Sequence, residues 1–218
     1  MSKQRSIRTM KMSTAVLLAI ALLLGVSACG GDAKDKSKDN PRSKVVSGGE
    51  SAKAILSENE LPEPWRYSTK EDFLGIPQMC GVVLEPPGLT SAKTRRFAKS
   101  YSGPFVIQYS FVSGDEKATT ERIDKFVAAA KTCSSYKPTK TDEAVISPIE
   151  DVDAVGDAFA AVHAVDANDE ANQRDYVVFR DGSHVTVLLS YGIGGLASHG
   201  DLSTMAKGIA AKTGSIKK

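Results

Sequence analysis

Between Phe105 and Val112 the chain alternates strictly, with Phe105, Ile107, Tyr109 and Phe111 on one side and Val106, Gln108, Ser110 and Val112 on the other. A period of two is the mark of a β-strand, and here one face is rich in aromatic rings. Four more short runs rich in Val, Phe and Tyr follow, at residues 143–149, 157–166, 174–180 and 184–191, separated by Asp, Asn and Gly. The gaps between them are too short to hold crossover helices, so the strands must pair antiparallel. Asp181-Gly182 reads as a two-residue hairpin turn, and Pro148 places its strand at an edge or ends it there.

Two helical patterns flank this run. Asp115 or Thr119 can cap a helix that extends to about Cys133, with Ile123, Phe126, Val127 and Ala130 as its apolar stripe and Cys133 continuing it. A last helix spans about 199–213, buries Leu202, Met205, Ala206 and Ile209, and stops near Gly214. Residues 50–57 fit a shorter helix. The expected fold is α+β: an antiparallel β-sheet of about four to six strands with two main helices, one of them packed against one face of the sheet.

The start of the chain has a different character. Lys3, Arg5, Arg8 and Lys11 precede an unbroken apolar run, residues 15–24, which is shorter than the roughly 20 residues that span a bilayer comfortably. Val26-Ser27-Ala28-Cys29 then looks like a bacterial lipobox. That likeness implies that a diacylglyceryl group, with palmitate-type chains, is attached to the Cys29 thiol and that cleavage then leaves Cys29 as the first residue. The competing readings are a plain signal peptide with a coincidental cysteine, or an uncleaved anchor helix. The expected organisation is a lipoprotein signal peptide at 1–28, a lipidated N-terminus and flexible linker at 29–49, and a single extracytoplasmic domain at 50–218. Residues 30–49 carry too little apolar surface to offset ordering entropy, and such a tether holds the domain on the order of 25 Å from the lipid.

Charge and cysteine count follow from this division. Four of the 28 Lys and Arg lie in the first 28 residues, and all 26 Asp and Glu lie beyond them. The remaining chain is therefore slightly acidic, and nothing in its charge favours nucleic acid as a partner. With Cys29 acylated, only Cys80 and Cys133 remain, one potential disulfide in an oxidising compartment. Two buried free thiols are the alternative.

Catalytic signatures are missing from the sequence: no G-x-S-x-G, no H-E-x-x-H and no phosphate loop of the G-x-x-x-x-G-K-[ST] form occurs. His163, His184 and His199 are scattered, so neither a metal site nor a cofactor is expected. Gly192-Ile193-Gly194-Gly195-Leu196-Ala197 has the form of a dinucleotide loop, but too little chain follows it to supply a second parallel strand. The candidate ligand-binding residues are Trp65, Tyr67, Tyr109, Tyr176 and Tyr191, each of which serves equally well in a core. The cationic cluster Lys93, Arg95, Arg96 and Lys99 suits an anionic headgroup or a phosphate, or a solvated face.

A family likeness rests on several of these residues together. They are Ser51 to Leu56 leading to Leu61-Pro62 and Trp65, then Cys80, the strand Val106 to Val112, Cys133, the stretch Val155-Gly156-Asp157-Ala158-Phe159, and the hairpin from Tyr176 to Tyr191 before the final helix. This pattern resembles the actinobacterial sensor-domain lipoproteins and the PknH-like extracellular sensor domain. The resemblance implies an antiparallel sheet flanked by helices, a groove for an unidentified ligand, a Cys80–Cys133 disulfide and no catalysis. The further cysteine pair of the kinase domain has no counterpart here. The function expected is thus a non-enzymatic ligand-binding or sensing domain, lipid-anchored on the outer side of the cell membrane. Its partners would be the membrane itself and a small molecule, a lipid or an envelope protein. The alternatives are a lipid or glycolipid carrier and a cell-envelope hydrolase, the latter requiring Asp, Glu, Ser or His gathered in a cleft.

Overall fold

The computed structural model describes residues 46–68, 77–138 and 142–216. The expected signal peptide, the lipidation site Cys29 and the linker up to residue 45 lie outside the described residues. In chain order the elements are β1 (Val46–Ser47), α1 (Gly49–Lys53), a 3₁₀ turn (Glu58–Glu60), β2 (Arg66–Tyr67), β3 (Gln78–Met79), β4 (Val82–Val83), β5 (Leu89–Ala98) and β6 (Phe105–Ser113). They continue with α2 (Glu116–Ala130), β7 (Ser135–Tyr136), β8 (Ala144–Pro148), β9 (Ala158–Asp166), β10 (Asp169–Asp181), β11 (His184–Tyr191) and α3 (His199–Ile216). Among the described residues no helix is long and apolar enough to cross a membrane.

The main sheet has nine strands, which corrects the expectation of four to six. Its order is β1-β5-β6-β11-β10-β9-β8-β7, with β2 also on β5, and every pairing is antiparallel except β1 with β5. β3 and β4 form a separate two-stranded hairpin. The main additional long strand is β5, whose sequence LTSAKTRRFA hides its period because only Ser91, Arg96 and Phe97 are buried. β1, β2 and β7 are two residues long and leave no periodic trace. β1 and β2 both cover the outer edge of β5, which closes off backbone groups that would otherwise template pairing with another chain. β1 also draws the last residues of the expected linker into the fold.

The two long helices lie on opposite faces of the sheet. α2 sits over Ile107, Tyr109, Phe111, Val162, Val178 and Val187, to which it adds Ile123, Phe126 and Ala130. α3 covers the other face with Leu202, Met205, Ala206 and Ile209 against Phe97, Val106, Val177, Phe179 and Leu188. Each fully buried Leu, Ile or Phe here stabilises by about 1.5–3 kcal/mol. Because both faces are covered, β6 is buried along almost its whole length. Gln108 on the α3 face is satisfied by the chain above it: its Oε1 accepts from Leu56 N (3.1 Å) and its Nε2 donates to Ala54 O (2.8 Å).

Asp115 caps α2, accepting from Ala118 N at 2.9 Å, and the helix ends at Ala130. Cys133 therefore lies past the helix instead of on its stripe. It is bonded to Cys80 across a sequence separation of 53, tying the β3–β4 turn to the chain after α2. Closing a loop of that length stabilises by about 4 kcal/mol in the chain-entropy picture.

The β10–β11 turn pairs Asp181 with His184, so its central residues are Gly182 and Ser183, one position later than the sequence suggested. Gly182 takes φ +58°, the glycine placement that a type II′ turn uses. Gly156-Asp157 supports this turn from the side. The Asp157 carboxylate accepts from Gly182 N (2.8 Å) and Arg180 Nη1 (3.3 Å), and Asp157 N donates to Arg180 O (2.7 Å). Gly156 has φ +74°, and a Cβ there would lie 2.4 Å from Arg180 O. The Val155-Gly156-Asp157 stretch is thus a fixed brace for the central hairpin.

Candidate functional site

The glycine-rich loop 192–198, between β11 and α3, separates two open clefts. Gly192 and Gly194 let it press against the turn 99–104: a Cβ on Gly194 would lie 3.3 Å from Ser102 O, and one on Gly192 would lie 3.4 Å from Phe105 and Pro104. The dinucleotide-like spacing of these glycines thus serves close packing of two loop tips.

The first cleft, about 710 Å³, lies at the C-terminal end of β5. β2 contributes Arg66 and Tyr67, β5 contributes Arg96 and Ala98, β6 contributes Phe105, and the two loops contribute Lys99, Tyr101 and Ile193. Arg96 is buried with its guanidinium 3.9 Å above the Phe105 ring and 5.7 Å from the Tyr191 ring, while Phe105 and Tyr191 lie 5.5 Å apart. Arg95 sits 4.8 Å over Tyr67, which stacks on Phe97 and donates its hydroxyl to Leu56 O at 2.9 Å. Such cation–π stacking holds the guanidinium groups in fixed orientations. Arg66 is paired with Glu63 and Lys99 with Asp201, both at 3.2 Å. Burial pushes the Asp201 carboxyl up, but the Trp65 indole N–H, the Lys99 ammonium and the Ser198 hydroxyl together hold it below the ordinary aspartate range. Five large hydrophobic side chains are exposed among the described residues, and three of them, Tyr67, Tyr101 and Ile193, line this cleft.

The second cleft, about 730 Å³, is lined by Ser147, Glu150, Asp151, His163, Asp175, Ser198 and His199, with Pro148, Ile149, Leu196 and Ala197 between them. Strand register builds it: Ser147 is opposite His163, and His163 is opposite Asp175, so residues of three neighbouring strands share one row. Asp175 is 1% exposed and its two oxygens face two imidazoles, His163 Nδ1 at 2.6 Å and His199 Nε2 at 3.5 Å. His199 Nδ1 in turn lies 2.5 Å from Asp151 Oδ1. The His199 ring thus lies between Asp151, in the segment after β8, and Asp175 on β10. Among the described residues no group of three or more His, Cys, Asp or Glu is spaced to hold a metal ion.

The residues singled out in the sequence divide between surface and core. Tyr67 lies on the first cleft and Tyr191 backs it. Trp65 and Tyr109 have no exposure, and Tyr176 is 5% exposed within the core under α2. Of the cationic cluster, Arg96 and Lys99 reach the first cleft. Sequence reasoning missed Tyr101 and Ile193, and it missed the gathering of Asp151, His163, Asp175 and His199. The available signal for the latter was the alternation of β9 and β10, which puts His163 and Asp175 on one face once the hairpin register is known.

No family model matches the chain, and no curated protein matches it. Among solved structures it is similar to the crystal structure of the extracellular domain of PknH from Mycobacterium tuberculosis, at 11% identity and a TM-score of 0.43. The match covers 59% of this chain and 66%, just under two thirds, of that one.

Proposed function

We propose that this chain is an extracytoplasmic ligand-binding or sensing domain, held at the cell membrane through a lipid on Cys29, and that it performs no catalysis at its principal site. The observation that supports the reading is the first cleft. Three of the five exposed large hydrophobic side chains among the described residues line it, beside Arg66, Arg96 and Lys99. Exposed apolar groups gathered in one place and rimmed by polar residues mark a binding surface. An apolar wall beside oriented cations suits a ligand with an anionic group and an apolar part. The cleft is an open trough, which fits recognition of part of a molecule better than carriage of a whole acyl chain.

The test is native mass spectrometry of the full chain purified in detergent from its own host. A co-purifying mass that disappears in Arg96→Gln supports the reading; the same added mass on both proteins, or none on either, contradicts it. The anchor is tested separately: Cys29→Ala should leave the protein unprocessed or release it from membranes.

A second reading, hydrolysis of an envelope component, is favoured by the second cleft. His163 lies between Ser147 and the buried Asp175 across three strands, the residue types of a nucleophile, a base and an orienting carboxylate. A fluorophosphonate probe should then label the chain covalently, and Ser147→Ala should abolish labelling. No labelling of the wild-type chain refutes this reading.

A further inference from the structure

We infer that the first cleft docks on an anionic bilayer surface, with Tyr101 and Ile193 entering the interface and Arg66 and Lys99 facing the headgroup phosphates. The inference rests on reading that cleft as the ligand site of a membrane-held domain, and it names the ligand as the lipid surface itself. Tyr101 and Ile193 are 99% and 104% exposed, so neither contributes to the core. They belong to one rim, because Gly194 brings the loop that carries Ile193 against Ser102 and Gly103. A tyrosine ring suits headgroup depth, where its body is apolar and its hydroxyl stays wet, while an isoleucine at a loop tip suits the acyl boundary.

The cations behind the rim give the surface its sign. Arg66 lies beside Glu63 and Lys99 beside Asp201, each at 3.2 Å, and Arg96 stacks on the aromatic rings beneath it. A cation near an anionic leaflet strengthens association roughly fivefold. Chain length permits the contact. Sixteen residues, 30–45, separate Cys29 from β1, and a coil of that length reaches about 20–25 Å. β1 joins β5 at Ser91 and Ala92, and the cleft begins at Arg96 on the same strand, about 15 Å further along.

The full chain would carry an environment-sensitive fluorophore at Ser102→Cys, an exposed position of the rim, and in a second preparation at Val145→Cys, on β8 far along the sheet order. Each is reconstituted into phosphatidylcholine vesicles with and without phosphatidylglycerol. A lipid anchor brings both positions near the vesicle alike, whereas docking separates them. The expected result is a blue-shifted emission, several-fold brighter, at the Ser102 position with phosphatidylglycerol, none at Val145, and a drop of roughly fivefold when Lys99→Gln is added. Equal emission at the two positions, or the same response in pure phosphatidylcholine, overturns the inference. If the chain still co-purifies with a ligand lost in Arg96→Gln while the rim stays wet, the inference fails and the binding reading stands. If neither is seen, both fail.

Discussion

Replacing Gly156 by alanine separates two costs that are usually confounded. Gly156 and Gly81 have nearly the same backbone angle, φ +74° and +73°, but an added Cβ at Gly81 meets nothing within 4 Å, whereas at Gly156 it would lie 2.4 Å from Arg180 O. The left-handed backbone costs an alanine about 1–2 kcal/mol, offset by about 0.5 kcal/mol from the reduced freedom of the unfolded chain. Gly81→Ala should therefore destabilise by about 1 kcal/mol. At Gly156 the obstructing atom is backbone in β10, paired on both sides, and it accepts from Asp157 N at 2.7 Å. Relief demands that β10 shift or that this hydrogen bond break, which adds about 1 kcal/mol for the bond and 1–3 kcal/mol for displaced packing. Gly156→Ala should thus cost about 3 kcal/mol more than Gly81→Ala, a further fall in Tm of roughly 6–12 °C for a domain of this size. Thermal and urea unfolding of the three purified chains measures this directly. Equal losses in the two variants would refute the brace assigned to Gly156-Asp157.

Three other outcomes follow from the same structure. Replacing both Cys80 and Cys133 by serine should lower stability by about 4 kcal/mol in urea unfolding, and reductant should then leave the variant's midpoint unchanged while lowering that of the wild type. Asp175→Asn should destabilise by about 2 kcal/mol, because a neutral amide replaces the buried carboxylate that faces His163 and His199; matching urea midpoints would argue against that network. Burial raises the Glu60 carboxyl, but Lys212 and the Ser57 hydroxyl and N–H outweigh it and hold the group at about 2 against an ordinary 4.5. The stabilisation is present above pH 4.5 and lost as pH falls toward 2; with the side chain 38% exposed, solvent screening limits it to about 1 kcal/mol. The Tm difference between wild type and Glu60→Gln should accordingly vanish by about pH 2, and a difference constant with pH would contradict the assignment.

The long central elements were legible because each carries its own period: β6 by alternation, α2 by the stripe Ile123, Phe126 and Ala130, and α3 by Leu202, Met205, Ala206 and Ile209. β5 was not, since a strand at the margin of the sheet bearing Lys93, Arg95 and Arg96 buries too few residues to show a period. The sheet's double cover explains why the aromatic candidates were ambiguous. When helices lie on both faces, alternation no longer tells an outer side from an inner one, so Tyr109 and Tyr176 could be read as groove or as core residues, and they lie in the core. Both clefts depended on long-range register. Asp151, His163, Asp175 and His199 follow one another at intervals of 12 to 24 positions and meet only through strand pairing and the start of α3. Tyr101 and Ile193 line one cleft because two glycine-bearing loops touch, and no local pattern encodes that approach.

Hydrogen exchange on the full chain, as purified from its host and again after delipidation, tests most directly where the ligand sits. A ligand in the first cleft predicts that delipidation speeds exchange in peptides covering 96–105 and 191–195 and leaves those covering 147–151 and 163–175 unchanged. Faster exchange confined to the second set, or no change in either, would contradict the account.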